Sequence, residues 1–483
     1  MATEQKLKRV LGMPTLVAII IGIAISQVAL VSLLQAIGYG GGASQVTIIG
    51  TYAVAFALAL TYVATFAELA LMMPSAGGLS AYTEVALGHF PALVATFAGY
   101  VVVNMFGLPA ELLVIDNVMH EVLGFNIPTN VIALGILASL TLLNILGTDI
   151  FALLQNLTTG MKVLAVLGTG LAALLLAPAL PVAVPAVQGG VQVAAAAASA
   201  DTSGLLALFI WCFVGAEFAC PMIEETVDAE RNIPRSMVVA LALVAVLFGL
   251  YGLGATRVLS QDTMLSSRFP HLDYANAVFG RAGAIFLALT AAAATLGLVN
   301  AVLGGVSRML YGMAKNGQAF PFLGKLHPKF GTPWAAILFM SGISAIPLLA
   351  LGNQPETVTI LVVSASTSWL LAYIVAHVDL IVLRRRYPDL ARPFRSPLFP
   401  LVQIVGIAGM GFAAINNSPS PDLAQTVHLI AGCVLGIVGI ASAIWVRFFM
   451  KKRLFEAEPI PAPLSTAVPE PADRPALNDA AGI

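Results

Sequence analysis

The chain has 483 residues, of which 59% are hydrophobic and 10% charged, and its formal net charge is −1. A soluble domain carries about 25% charged residues, so a water-soluble globule is excluded, and the near-neutral charge gives no footprint for nucleic acid. Mean hydropathy is +0.93, which fits a polytopic α-helical membrane protein whose spans each need roughly 20 apolar residues.

Residues 1–12 form a short basic segment ahead of the first apolar run. That run is too long for the core of a cleaved signal and lacks a small-residue cleavage site, so it is expected to stay as a membrane helix. Apolar runs punctuated by Gly, Pro and charge predict twelve spans, near 13–37, 44–72, 92–119, 128–147, 152–177, 204–223, 236–259, 281–311, 333–351, 357–383, 398–415 and 425–449. The segment 450–483 is rich in Pro, Ala and charge, and is expected to be a disordered tail. Cys212, Cys220 and Cys433 lie in apolar runs with neither metal spacing nor a disulfide framework.

Orientation follows from the 23 Lys and Arg residues. With residue 1 inside, only Arg257, Arg268 and Arg281 fall outside, and Lys162 falls within the fifth run. The positive-inside bias therefore predicts both termini in the cytoplasm of a multi-pass plasma (inner) membrane protein. It also leaves one buried lysine to be explained.

The first span is interrupted at Gly22-Ile23-Ala24-Ile25-Ser26 and the sixth at Gly215-Ala216-Glu217. Each opens a block of five spans, and the two blocks start on opposite sides. Interrupted segments at matching places of inverted halves point to a transporter binding site. About ten residues separate Leu205 from Gly215, or about 15 Å of helix, which is half the hydrocarbon thickness. Unwound backbone there would offer N–H groups to an anion and C=O groups to a cation. A lone glycine would merely let helices pack closely. A glycine with an acid, Glu217, at the midplane favours a site, because acids inside a membrane are costly.

Trp211 to Glu217, read as W-x-F-x-G-x-E, resembles the sixth helix of the amino acid–polyamine–organocation superfamily. Further resemblances follow in order: Glu68-Leu69-Ala70 with Pro74 and Ala76-Gly77-Gly78, then Glu224-Glu225 through Arg231-Asn232-Ile233-Pro234-Arg235. The run from Arg308 to Gly317 and the loop from Arg384 to Arg395 complete the set. The resemblance implies an all-α membrane protein of leucine-transporter type, with 5+5 inverted repeats (13–177 and 204–386) and two extra helices (398–449). The implied activity is secondary transport of amino acids or related amines, with no cofactor or metal. The first-helix motif departs from the usual G-x-G-I-F: Ala24 replaces its second glycine, Ile23 crowds a small-residue position and Ser26 replaces the aromatic. That leaves room for an amine or a modified amino acid.

Candidate substrate-binding residues are Ile20, Gly22, Ile23, Ala24, Ser26, Asn104, Trp211, Val214, Gly215 and Ala216. Trp211 is a candidate gate or cation–π partner, and Asn104 is as readily structural as substrate-binding. Lys162 and Glu217 are the candidates for proton coupling or gating. A lysine on the fifth helix holds the place of sodium in proton-coupled members of the family, and a desolvated lysine gives up its proton more readily. Snorkelling is a poor alternative so far inside the span. Glu111 and Asp116 either attract a cationic substrate or bond to neighbouring helices. Glu68 is expected to brace an inner loop against the Arg-rich segments.

The expected function is proton-coupled symport of an amino acid or small amine. An amino acid/amine exchanger and a polyamine or amino-alcohol permease are the alternatives. Membrane enzymes need converging catalytic groups, and the six histidines are scattered singly. Channels need a repeated filter or charged ring, and none is visible. The predicted partners are the solute, protons and membrane lipid.

Overall fold

The computed structural model describes residues 7–40, 45–124, 127–128, 130–176, 202–267, 269–351, 355–418 and 421–460. Lys6, Arg268, Arg474 and the stretch 461–483 of the predicted tail lie outside the described residues. In hydrocarbon a lone strand or coil leaves backbone polar groups unbonded, so apolar runs close into helices. Among the described residues no strand forms, and one isolated parallel bridge pairs Leu11 with Thr226.

The helices are α1 (Met13–Ala24), α2 (Gln27–Tyr39), α3 (Gln45–Met72), α4 (Leu79–Ala86), α5 (His89–Thr96), α6 (Val103–Leu123), α7 (Val131–Leu146) and α8 (Thr148–Leu175). They continue as α9 (Thr202–Trp211), α10 (Ala229–Val258), α11 (Gln261–Ser266), α12 (Pro270–Lys315), α13 (Trp334–Ala350), α14 (Pro355–Arg386), α15 (Leu401–Ile415) and α16 (Pro421–Ile444). Among the described residues eight helical segments are long and apolar enough to cross a membrane. A ninth span arises if α1 and α2, bent by 56° at their junction, count together. The apolar helices α7, α13 and α15 are shorter.

Two of the predicted spans are broken. α1 runs on to Ala24, because the Ile25 N–H still donates to Ile21 C=O, and the break falls at Ile25–Ser26. α9 ends at Trp211, and after Gly215 the chain tightens into a 3₁₀ helix, Ala216–Glu225, that contains Pro221. A proline lacks the N–H that a longer α-helix would need there. The start of the first broken span and the end of the second are tied together. Val10 and Leu11 donate N–H groups to Glu225 C=O (2.9 Å each), and Val227 N–H donates to Leu11 C=O (2.9 Å).

Motifs far apart in sequence meet at buried ion pairs and close backbone crossings. Arg384 grips Glu68 with two nitrogens (2.8 and 2.5 Å), and Ser396 N–H donates to the same carboxylate. Bidentate geometry makes this a strong, oriented contact, and Glu68 braces the Arg-rich loop as expected. A Cβ at Gly312 would lie 2.1 Å from the Gly77 nitrogen, so two glycine-bearing motifs are in backbone contact. Arg308 is buried against Glu225, with Nη2 2.9 Å from Oε1, and Thr148 donates to the same oxygen.

Residues 451–460 open the predicted tail, yet they pack as a strap on α4 and α5. Phe90 N–H donates to Leu454 C=O (2.8 Å) and Glu458 N–H to Glu84 C=O (3.2 Å). Gly88 makes the notch: a Cβ there would sit 2.6 Å from the Phe455 carbonyl carbon. Buried His89 lies between Glu84 (2.8 Å) and Glu458 (3.2 Å), and Lys452 also pairs with Glu458. Apolar contact between Phe90 and Phe455 and this charge cluster order a stretch whose composition alone suggests disorder.

Candidate functional site

Freed backbone groups at a helix break need partners when no water can supply them. At the first break both ends are met by side chains. The last carbonyls of α1 carry partial negative charge, and Lys162 Nζ donates to Gly22 C=O and Ile25 C=O (2.9 Å each). A third, longer bond reaches Ala294 C=O on α12 (3.4 Å). The first N–H groups of α2 carry partial positive charge. Gln27 N–H and Val28 N–H donate to Glu111 (2.9 and 3.2 Å), and Ala29 N–H to Ser26 Oγ (3.0 Å). Thr295 and Gln27 extend the network: Gln27 Nε2 donates to Thr295 Oγ1 (2.6 Å), which faces Glu111 Oε1 (3.3 Å).

Asp116, one turn further along α6, does the same for α7, accepting from Asn130 N–H (3.2 Å) and Ala133 N–H (3.3 Å). Glu111 and Asp116 thus cap the starts of neighbouring helices.

At the second break Gly215 takes φ +105°, a conformation that favours glycine. Glu217 is buried and accepts from Gly215 N–H (3.2 Å) and from the Trp369 indole (2.8 Å). Tyr62 bridges the same gap, donating to Phe213 C=O (2.6 Å) and accepting from Ala216 N–H (3.4 Å). The two breaks touch through Ile23: a Cβ at Gly215 would lie 2.5 Å from Ile23 Cγ2.

A cavity of about 170 Å³ lies beside both breaks. Ile23, Ser26, Asn104, Trp211 and Val214 line it. Ile20, Gly22 and Ala24 lie within α1, and Gly215 and Ala216 form the second break behind the lining. The walls add apolar Val103, Leu298 and Val302, and among the described lining residues Glu111 alone is charged. Trp369 and Asn417 also face the cavity. Asn417 Oδ1 accepts from the Trp211 indole (3.2 Å), and its amide donates to Ser366 (3.1 Å) and Thr367 (3.0 Å) on α14. Trp211 and Trp369 meet edge to face, with centroids 6.1 Å apart. Asn104 turns its amide back onto Tyr100 C=O (2.8 Å).

Sequence reasoning missed Trp369, on the distant helix α14, and Asn417, just after α15; neither carries a motif. Trp369 had one available signal: a tryptophan deep in a span needs a partner for its N–H.

The sequence model of the amino acid permease family matches residues 11–440. Three of the relatives with similar sequences serve as examples. The serine/threonine exchanger SteT of Bacillus subtilis (strain 168) is 25% identical over 407 residues, covering 80% of this chain and 85% of that protein. The branched-chain amino acid permease BcaP of the same organism is 26% identical, covering 89% and 93%. The human Asc-type amino acid transporter 1 is 26% identical, covering 78% and 72%. In fold, the chain is similar to a mutant of the Eremococcus coleocola manganese transporter, with TM-score 0.60, 14% identity, and coverage of 93% and 99%. With these matches and its apolar helices, the chain belongs to the amino acid permease family, as an integral, multi-pass membrane transporter of amino acids and not an enzyme.

Proposed function

We propose that the chain is a proton-coupled amino acid symporter of twelve spans, with two inverted five-span repeats (13–177 and 204–386), helices 398–449 and both termini in the cytoplasm. Access alternates around the two breaks. The solute sits between Ile23, Ser26, Asn104, Trp211 and Val214, with Gly22, Ala24, Gly215 and Ala216 giving the breaks their shape. Apolar walls suit an apolar side chain, in keeping with a branched-chain permease among the relatives.

The observation that carries this reading is the seat of Lys162. Its ammonium is held by carbonyls of α1 and α12. If the seat exists in one access state only, proton affinity at Lys162 differs between the states. A ligand shifts an equilibrium only by its differential affinity, and here the ligand is the proton. An ammonium in this seat also repels sodium.

The test is uptake into sodium-free proteoliposomes driven by a pH gradient. The wild type accumulates solute, and Lys162→Ala binds it without concentrating it. Strict sodium dependence, or undiminished accumulation by Lys162→Ala, would sink the reading. Exchange is the second reading, supported by the exchanger SteT among the relatives. An exchanger needs no net proton movement, so counterflow at equal pH that exceeds pH-driven uptake would favour it.

A further inference from the structure

A second, smaller cavity borders Lys162 and shares no lining residue with the solute cavity. It is lined by Lys162, Ile25, Ala294, Tyr251, His271 and Thr290, among others. Its volume is about 20 Å³, and one water needs about 10–15 Å³. Its walls are mostly apolar, with Leu30, Ala165, Val166 and Ala291 among them, but they also carry polar groups left unbonded. His271 is 1% exposed, yet neither Nδ1 nor Nε2 has a hydrogen-bond partner among the described residues, and neither does Tyr251 Oη. Buried polar atoms are nearly always bonded to protein or to ordered water. Three such atoms on one small cavity, beside an ammonium, describe a water site.

His271 stands in the first turn of α12, at the end of the bundle that holds Arg257 and α11. In the orientation proposed above this is the outer face. Burial lowers the His271 imidazole from its ordinary value to about 4, so at neutral pH its protonated form is a minor one that passes its proton readily to a neighbouring base. We infer that this cavity is the proton-entry site of the transporter, and that His271 hands protons from outside water to Lys162 through a water held between them. The inference rests on the proton-coupled reading. The transfer is balanced: imidazolium gives one proton to the cavity water, the water gives one to the neutral Lys162 amine, and His271 returns to neutral imidazole. The ionisable groups around the path are Glu111, which faces Lys162 across the first break, and Tyr251, with Tyr274 packed edge to face on Tyr251 at 4.7 Å. The two tyrosines supply no carboxylate that could replace the imidazole.

The experiment uses the full chain in sodium-free proteoliposomes, with a pH-sensitive dye inside and a radiolabelled mixture of the twenty protein amino acids outside. In the wild type an acid exterior drives accumulation and proton entry together. His271→Leu is expected to slow both roughly tenfold or more, the range typical of a lost proton-transfer group, while counterflow at equal pH stays within about twofold. Added imidazole should restore proton entry in His271→Ala, where the side-chain space is free. Where His271→Leu loses counterflow as well, His271→Gln decides, because it keeps the bulk and polarity without the titration. Normal accumulation by His271→Gln, or by His271→Leu, overturns the inference while leaving Lys162 coupling intact. A wild type that shows no proton-driven uptake overturns the underlying reading instead.

Discussion

Lys162 and Glu111 set an amino group and a carboxyl group against the two half-charges of a broken helix. Each helix end carries roughly half an elementary charge from its unbonded backbone groups. The ammonium covers the carbonyl end of α1 and the carboxylate covers the amide end of α2. Neither side chain can be neutralised by substitution without orphaning backbone. Glu111→Gln offers one oxygen and one NH₂, so either Gln27 N–H or Val28 N–H loses its acceptor. A buried donor left unbonded costs about 1–3 kcal/mol. Glu111→Gln should therefore unfold at a lower temperature than wild type in detergent, read by the loss of monodisperse protein on heating. An unchanged midpoint would show that the carboxylate is not the cap. Lys162 was legible in the sequence because a lone cation in an apolar run contradicts its surroundings. The capping role of Glu111 was not, because its partners are backbone groups with no residue-type signal.

The breaks themselves belong to the scale of elements. A glycine followed by an acid inside an apolar run was readable at Gly215 and Glu217, since an acid is costly in hydrocarbon unless it finds partners such as an opened backbone. The position of the first break was less readable. Gly22 and Ala24 stay helical, and α1 opens only after Ile25, where the chain can hand its carbonyls to Lys162. Ile23 then fills the notch opposite Gly215, so the two broken segments are keyed to each other. Gly215→Ala meets two obstacles: a positive φ, costing about 1–3 kcal/mol for a residue with a side chain, and a Cβ that would lie 2.5 Å from Ile23 Cγ2. Gly215→Ala should abolish saturable amino acid binding. The pair Gly215→Ala with Ile23→Ala should recover part of the stability, because it removes the clash but not the strain. Equal losses in single and double variants, measured by thermal shift, would mean that the two breaks are not in register.

At the scale of the molecule, class and apolar helices followed from composition, while the ordered strap did not. Charge and proline content made 450–483 look like solvated chain. The packing of Leu454–Glu458 depends on a groove made by α4 and α5, which the tail sequence does not encode. Hydrogen bonding from Lys452 holds the Glu458 carboxyl below its ordinary value, with nearby His89 adding to the effect. A depressed carboxyl contributes stability in full above its unfolded value, about 4.3 for glutamate, and loses it as pH falls through the folded value. The strap should stay docked through neutral pH and release only in acid. Hydrogen exchange at the Phe90 and Glu458 amides measures this, and Glu458→Gln should exchange faster there already at neutral pH. Protection in Glu458→Gln equal to wild type at neutral pH would assign the docking to Phe90 and Phe455 alone.

The strap is also the last described part of the chain to be synthesised. Throughout translation of the spans, the Gly88 notch stands uncovered, and His89 has one carboxylate neighbour instead of two. Only a ribosome that has passed residue 458 can close it. A chain that stops before residue 451 therefore leaves an open seam on α4 and α5, with Gly88 uncovered and His89 paired to Glu84 alone.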